Sequence, residues 1–163
     1  MKKLAKSAIS VQEALDKLQL NGQVLELPSS TRTASEAASS IGCDIAQIVK
    51  SLIFKTKKTE KPILVLASGL NQVDVKHIEN HTGEKITKAD ADFVRKETGF
   101  AIGGIPPVGH KNMIDLIYID QDLLAFDKVW AAAGTPNAVF CIKSQDLLKA
   151  TSGKLMNIKE AKK

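Results

Sequence analysis

A long glycine- and proline-rich stretch interrupts the second half of the chain, Gly99-Phe-Ala-Ile-Gly-Gly-Ile-Pro-Pro-Val-Gly-His110. Glycine adopts backbone conformations that other residues resist, whereas proline fixes φ and removes an N–H donor. A regular helix or a central strand therefore does not run through this segment. We predict a stiff loop here, with the helices and strands of the chain arranged around it.

This loop has two interpretations. Its prolines remove donors that a site for several phosphates needs, but the N–H groups of Gly103 and Gly104 suit a single developing oxyanion. The other interpretation is a tight connection between two strands that binds nothing. Composition alone does not decide between them.

Helix and strand signals follow each other along the chain without strict alternation. Ser10-Val-Gln-Glu13 and Thr33-Ala-Ser-Glu36 have the spacing of capped helix N-termini, with helix stops at Asn21-Gly22 and Gly42. Further helical segments are predicted at 44–49, 73–81, 89–98, from 120 to near 134, and 144–151. Strands are predicted at 23–27, 50–56, 63–67, 85–87, 114–119, 138–142 and 155–158. This mixture predicts an α+β, or loosely mixed α/β, fold.

The length of 163 residues predicts a single domain that spans 1–163. No apolar run approaches the roughly 20 residues of a membrane-spanning helix, and no stretch resembles a signal peptide, so we expect a cytoplasmic protein that binds no membrane. The formal net charge is +5, and lysines cluster at both ends, including Lys2, Lys3, Lys162 and Lys163. This balance favours polyanions such as tRNA through screened, non-specific attraction.

Several catalytic motifs are absent from the sequence. It has no GxSxG, no GxxxxGK[ST] and no GxGxxG segment, which argues against a serine hydrolase, a P-loop NTPase and a Rossmann dehydrogenase. His77 and His81 are four residues apart without a third metal ligand, so we predict an exposed helix face. We therefore expect neither a metal nor a cofactor.

Two polar positions stand out within apolar surroundings. Lys50 lies between Ile48-Val49 and Leu52-Ile53, at a predicted helix-to-strand junction. Because burying an unpaired ammonium is costly, Lys50 lies either at a pocket mouth, where it meets an anion or a polar substrate, or on apolar surface with its head in water. The turn Gly134-Thr-Pro-Asn137 offers Thr135 and Asn137 either to a substrate or to its own capping.

Four segments in register resemble the YbaK family of editing domains: Thr33-Ala-Ser-Glu-Ala-Ala38, Gln47-Ile-Val-Lys-Ser-Leu-Ile-Phe-Lys55, Gly103-Gly-Ile-Pro-Pro-Val-Gly-His110 and Gly134-Thr-Pro-Asn137. The resemblance covers nearly the whole chain. The family includes free-standing enzymes and the editing domain inserted in bacterial prolyl-tRNA synthetases. It implies a mixed α/β fold with a central, partly barrel-like mixed sheet surrounded by helices.

The activity that the resemblance implies is hydrolysis, in trans, of the ester bond of mischarged aminoacyl-tRNA carrying a small amino acid such as alanine or cysteine on tRNA(Pro). The partners it implies are the acceptor 3′ end of aminoacyl-tRNA and prolyl-tRNA synthetase; the oligomeric state stays open. Two alternatives remain, a deacylase specific for cysteinyl-tRNA and a tRNA- or nucleotide-binding module without turnover.

The resemblance also implies site residues. Lys50 matches the indispensable lysine of the family, and Gly103 and Gly104 complete the predicted catalytic set. The predicted substrate-binding residues are Thr33, Ile105, Pro106, Pro107, Gly109, His110, Gly134, Thr135, Pro136 and Asn137. Several members of the family carry histidine where this chain has Asn137, which leaves the role of that position open.

Overall fold

A computed structural model gives the structure of residues 5–20 and 22–160. Predicted features at Lys2, Lys3, Asn21, Lys162 and Lys163 lie outside these described residues. None of the helices in the described part of the chain combines the length and the apolar character that crossing a membrane requires.

The described residues form a mixed α/β fold, as predicted, with five α-helices and one eight-stranded sheet. The helices are α1 (Lys6–Lys17), α2 (Ala34–Ile41), α3 (Val75–Thr82), α4 (Ala91–Thr98) and α5 (Ser144–Thr151). The strands are β1 (Leu25–Glu26), β2 (Ile48–Thr56), β3 (Pro62–Ser68), β4 (Ile86–Lys88), β5 (Leu116–Asp120), β6 (Lys128–Ala132), β7 (Ala138–Lys143) and β8 (Lys154–Met156). Short 3-10 turns at Ile45–Gln47 and Gln121–Ala125 precede β2 and follow β5.

Strand β2 organises the sheet, because it has different partners along its two edges. One edge pairs with β3 in antiparallel register, from Val49 opposite Ser68 to Lys55 opposite Pro62. The other edge pairs with β6 only at Ile48 and Val49, and with β4 only from Phe54 to Thr56. The strand order β1-β7-β6-β2-β3-β5-β8 continues from both edges. The ladder therefore has a gap beside residues 50–53 of β2.

The core lies on both faces of the sheet. Residues Ile63 to Ala67 of β3 are completely buried, as expected for a continuous apolar strand with both faces covered. On one face, Val11 and Leu15 of α1 belong to the same apolar cluster as Phe140 of β7. On the other face, Ile78 of α3 packs with Phe54 and Tyr118.

The caps of helix α2 follow their sequence signals. The hydroxyl of Thr33 accepts from the Glu36 N–H at 3.1 Å, and Gly42 ends α2 with φ of 85°, a left-handed conformation that glycine adopts at little cost. The prediction of a cap at Ser10 is wrong. Helix α1 begins at Lys6, and the Ser10 hydroxyl donates to the Ser7 carbonyl within it. Ala8 is completely buried, so the buried face of α1 extends upstream of Ser10. The helix therefore begins before the predicted cap.

Two further predictions about secondary structure are wrong. The helix predicted to end near Gly134 is strand β6, although a run of alanines favours a helix; tertiary pairing with β2 and β7 overrides that local preference. Lys50 is the third residue of β2 rather than a junction residue, because the strand begins at Ile48. The side chain of Lys50 is therefore fixed by the sheet.

Candidate functional site

A cavity of about 290 Å³ lies where the gap in the β2 ladder meets the N-terminal end of α2 and the glycine-proline loop. Four of the predicted site residues line it, Thr33, Lys50, Gly103 and Ile105. Small apolar side chains from α2 and β6, including Ala37 and Ala131, form much of its wall. The fold thus brings the central strand and the predicted loop together at one concave site.

Lys50 is half-buried at this cavity, and its ammonium group donates a hydrogen bond to the main-chain carbonyl of Asn71 at 2.5 Å. Burial lowers the pKa of the ammonium group, while the carboxylate of Asp120 acts in the opposite direction. Because an ammonium has three N–H donors, the bond to Asn71 leaves two for another acceptor. Lys50 is therefore a partly desolvated cation with unused donors at the cavity mouth.

A buried polar cluster holds the segment that Lys50 contacts. The Asn71 side-chain amide donates to Asp120 at 2.7 Å and to Asp122 at 2.8 Å. Asp120 is completely buried, and its carboxylate also accepts the N–H groups of Ser68 at 3.0 Å and of Asp122 at 3.0 Å. The hydrogen bond from Asn71, more than the ion pair with Lys159 at 3.3 Å, holds the pKa of Asp122 below its usual value. These bonds fix the carbonyl on which Lys50 rests.

Gly103 and Gly104 differ in their position relative to the cavity. Gly104 is buried, and its N–H donates to the Ala101 carbonyl at 3.1 Å within the loop. Gly103 lines the cavity with φ of 98°, and a β-carbon there would lie 2.9 Å from the Cγ atom of Arg32. A side chain at position 103 would therefore collide with Arg32 and strain the backbone. Of the two glycines predicted to bind an oxyanion, only Gly103 lines the cavity.

The rest of the predicted loop lies outside the cavity lining. Pro106 and Pro107 are buried and do not line the cavity. Gly109 packs against α1, where a β-carbon would lie 3.0 Å from that of Ala14. His110 donates from Nε2 to the Pro106 carbonyl at 2.7 Å, and burial lowers its pKa. These residues fix the shape of the loop from behind.

The turn at 134–137 also stands outside the cavity lining. The Thr135 hydroxyl donates to the Asn137 side chain at 3.0 Å, and the Asn137 amide donates to the Leu27 carbonyl at 3.0 Å. The Pro136 carbonyl accepts from the N–H and the hydroxyl of Thr31. Gly134 donates its N–H to the Gly104 carbonyl at 2.8 Å, so the turn supports the glycine loop. The turn caps itself, which was one of the two sequence-based interpretations.

Among the cavity residues that were not predicted from the sequence, three have side chains suited to binding. Ser51 follows Lys50 in β2, Arg32 is an exposed cation at the rim, and Trp130 of β6 is a half-buried aromatic residue. Neither Arg32 nor Trp130 belongs to a motif with a known spacing, and Ser51 looks like any strand serine. Only their positions around the gap in the sheet identify them.

Among residues 5–20 and 22–160, no group of three or more His, Cys, Asp or Glu is placed to hold a metal ion. His77 contacts the Asn157 carbonyl at 2.9 Å, and His81 contacts the Tyr118 hydroxyl at 2.8 Å. The two histidines thus bind neighbouring groups of the fold.

Comparison with known proteins gives a family match over most of the chain. A family model described as the aminoacyl-tRNA editing domain matches residues 28–150. The uncharacterized protein YwhH of Bacillus subtilis is 30% identical over 132 residues, which are 81% of this chain and 83% of that protein. The proline–tRNA ligase of Limosilactobacillus fermentum is 32% identical over 95 residues, which are 56% of this chain but 16% of the ligase.

A solved structure shares the whole fold. A crystal structure of a protein described as a candidate trans-editing enzyme for prolyl-tRNA synthetase superposes with a TM-score of 0.90 and 43% sequence identity. The match covers 98% of this chain and 100% of that one. The architecture built around β2 is thus the architecture of that protein.

Proposed function

The chain belongs to the aminoacyl-tRNA editing domain family, and we propose that it is a trans-acting deacylase that hydrolyses the ester bond of mischarged tRNA. The observation that carries this proposal is the position of Lys50. Lys50, a partly desolvated cation with unused donors, lines a small cavity together with Gly103 and Ile105. A cation beside a small apolar cavity suits an anionic RNA end that carries a small acyl group.

In the proposed reaction the 3′ end of the tRNA enters beside Lys50, which binds the terminal phosphate or the ester-bearing adenosine. Water adds to the ester carbonyl carbon and releases a proton; where a hydroxyl or thiol of the substrate adds first, water then hydrolyses the ester or thioester that this group forms. The N–H of Gly103 stabilises the oxyanion that forms, because that of Gly104 is already donated to Ala101. The bond from carbon to the ribose oxygen then breaks, and that oxygen takes up a proton.

The size of the cavity supports selection for a small amino acid. Its volume of about 290 Å³ is at the lower end of the range of roughly 300–1,000 Å³ for small-molecule sites. A synthetase gains only about 1–3 kcal/mol of discrimination per methylene, so smaller amino acids are activated in error and need a second, smaller site. We propose that alanine or cysteine esters of tRNA(Pro) are the substrates and that prolyl esters are excluded by size.

We further propose that the chain acts in the cytoplasm on the acceptor end of aminoacyl-tRNA, in concert with prolyl-tRNA synthetase, and that 1–163 is one editing domain. The formal net charge of +5 supports RNA binding. The matches to proline–tRNA ligases, of which the chain spans about a sixth, support the link to that synthetase. A single cooperative unfolding transition is expected for one domain.

The test is deacylation of alanyl-, cysteinyl-, seryl- and prolyl-tRNA(Pro) with limiting enzyme. We expect many turnovers on one small-residue ester and none on the prolyl ester. Lys50→Ala is expected to lose about 100-fold or more in kcat/KM, since it removes a charge that the transition state needs. Lys55→Ala is the matched control, because Lys55 lies on the same strand, is half-buried, and does not line this cavity.

The outcomes separate the possibilities. Full activity of Lys50→Ala would contradict the mechanism. No turnover on any ester would overturn the proposal and favour a tRNA-binding module instead. Turnover on cysteinyl esters of several tRNAs would identify the cysteine-specific deacylase.

A further inference from the structure

A second cavity, of about 550 Å³, lies next to the first. Its own wall includes Phe54, Val75, Ile86 and Thr87, and it shares with the first cavity a common wall made of Lys50, Ser51, Leu52, Ile102 and Ile105. Its volume is well within the range of roughly 300–1,000 Å³ for small-molecule sites. Two cavities of unequal size therefore meet at the segment that carries Lys50.

The common wall contains an unpartnered polar atom. Among residues 5–20 and 22–160, the hydroxyl oxygen of Ser51 is the buried side-chain oxygen or nitrogen that has no hydrogen-bond partner. Leaving a buried hydroxyl unpaired is destabilising, and such groups are rare in native proteins. An alanine at this position would avoid that penalty, so the hydroxyl points to a partner that arrives with a ligand.

The main chain of Ser51 faces the same gap. Along β2, the Ile48 carbonyl accepts from the Gly69 N–H, and the Thr56 N–H donates to the Lys61 carbonyl. Both residues therefore bond towards the β3 side. The Ile53 carbonyl and the Lys57 N–H bond on the opposite edge, to Ala89 and Lys85. Since the direction alternates with every residue, the N–H and carbonyl of Ser51 point to the edge that neither β6 nor β4 covers. Ser51 thus presents three polar groups at the junction.

This arrangement fits the two halves of an aminoacyl nucleoside. The molecule has a small acyl half and a larger nucleoside half, joined by an ester with a free ribose hydroxyl beside it. The smaller cavity, beside Gly103, suits the acyl half, and the larger cavity suits the nucleoside. Lys88 on the rim of the larger cavity adds positive charge for the phosphate that joins the terminal nucleoside to the preceding nucleotide.

We propose that the substrate lies across the common wall, with the amino acid in the smaller cavity and the terminal nucleoside in the larger one, and that the Ser51 hydroxyl hydrogen-bonds the ester or the neighbouring ribose hydroxyl. The inference rests on the proposed deacylase function and adds to it a nucleoside site and a substrate-contacting residue. Ser51 binds and orients; the attacking group remains water or the substrate.

The first test compares Ser51, whose hydroxyl oxygen is buried without a partner, with the buried Ser144, whose hydroxyl is bonded. Ser51→Ala removes an unpartnered hydroxyl, so we expect unchanged or higher thermal stability together with about tenfold lower kcat/KM on the preferred aminoacyl-tRNA. Ser144→Ala removes a hydroxyl that donates to the Phe126 carbonyl at 2.6 Å, far along the chain from the site. It should show the reverse, with lower stability and unchanged kcat/KM. A Ser51→Ala protein that is fully active would overturn the role of the hydroxyl.

The second test concerns the larger cavity. Free adenosine is expected to inhibit deacylation competitively, and Thr87→Trp, at an exposed position on the rim, should fill the cavity and weaken that inhibition at least about tenfold. The same variant is expected to unfold at about the wild-type temperature, so that weaker inhibition cannot be ascribed to a damaged fold. If the wild-type protein deacylates tRNA but adenosine does not inhibit, or Thr87→Trp changes nothing, the nucleoside site is wrong and the deacylase function stands. If the wild-type protein deacylates nothing, the proposed function itself fails.

Discussion

The start of β2 and the turn at 134–137 contrast in how their polar groups are used. At β2, Lys50 has donors to spare and the Ser51 hydroxyl has no partner among the described residues. In the turn, the side chains of Thr135 and Asn137 bond each other and Leu27, and the Pro136 carbonyl is bonded to Thr31. Both regions belong to segments that resemble editing domains. The hydrogen bonds distinguish a surface ready to bind from a turn that holds the fold.

The contrast extends to the support beneath each region. Lys50 rests on the carbonyl of Asn71, whose side chain is fixed by the buried carboxylate of Asp120. The turn at 134–137 is itself the support, because Gly134 bonds the Gly104 carbonyl and so fixes the loop that bears Gly103. Polar groups behind the site are therefore satisfied, whereas Lys50 has unused donors and the Ser51 hydroxyl has no partner among the described residues.

The largest effect on stability is expected at Asp120. In Asp120→Asn, an amide nitrogen replaces one of two buried oxygens that accept from Ser68, Asn71 and Asp122, so donors face a donor. We expect a loss of about 2–3 kcal/mol in the free energy of unfolding, measured by denaturant titration. The Asp120 carboxylate also raises the pKa of Lys50. As the pH rises, the Asp120→Asn protein that remains folded should therefore lose activity at a lower pH than the wild type does.

Asp122→Asn is the matched control for that prediction. Asp122 also accepts from Asn71, but it is only half-buried and pairs with the half-exposed Lys159. Its substitution should cost much less, since partly exposed ion pairs contribute little. Equal losses of unfolding free energy in the two variants would contradict this prediction. They would mean that the burial of the Asp120 carboxylate does not determine how the Lys50 side of the site is held.

A smaller effect is expected at Asn137, and it sharpens the comparison between the two regions. Asn137→Ala removes the amide that donates to the Leu27 carbonyl at 3.0 Å, which should cost about 1 kcal/mol of stability in thermal unfolding. The change in kcat/KM should be smaller than that caused by Ser51→Ala, because the Asn137 amide is already bonded to the protein.

The opposite pattern would reverse the assignment of the two regions. If Asn137→Ala removed activity while leaving stability intact, the turn would be a binding surface after all. Asn137→His, which introduces the residue found in several family members, would then be the informative variant, with activity on each aminoacyl ester as the readout.

The parts of the fold that the sequence predicts are those with local signals. Thr33 has its capping partner three residues away, and Ile63 to Ala67 form one apolar run, so both were predictable. Strand β6 was not, because its pairing with β2 joins residues about 80 positions apart and overrides the helical preference of its alanines. Parallel pairing of this kind leaves no local trace.

The site divides in the same way. Lys50 was recognisable as a cation in an apolar segment, and Gly103 lies in the unusual loop. Ser51 was not recognisable, since nothing in the local sequence indicates that its hydroxyl is buried and unpartnered. The sequence also left open whether Thr135 and Asn137 face a substrate or cap their turn, and the hydrogen bonds of the described residues place them in the turn.

The smallest effect is expected from His110, at the far end of the loop from Gly103. Burial lowers the pKa of His110 in the folded protein, so between that value and the ordinary value of about 6.5 the unfolded chain binds more protons than the folded one. The stability that a neutral His110 contributes is therefore complete above about pH 6.5 and is lost as the pH falls through the folded pKa. Nε2 donates to Pro106 whether or not Nδ1 is protonated, so the loss reflects the cost of a buried charge rather than a broken bond.

His110→Gln, whose amide can also donate, should remove this part of the pH dependence in unfolding titrations from pH 7.5 to 5. If the stability of His110→Gln fell with pH as much as that of the wild type, another group would be titrating. The buried half of the loop would then not be the acid-sensitive support of the site.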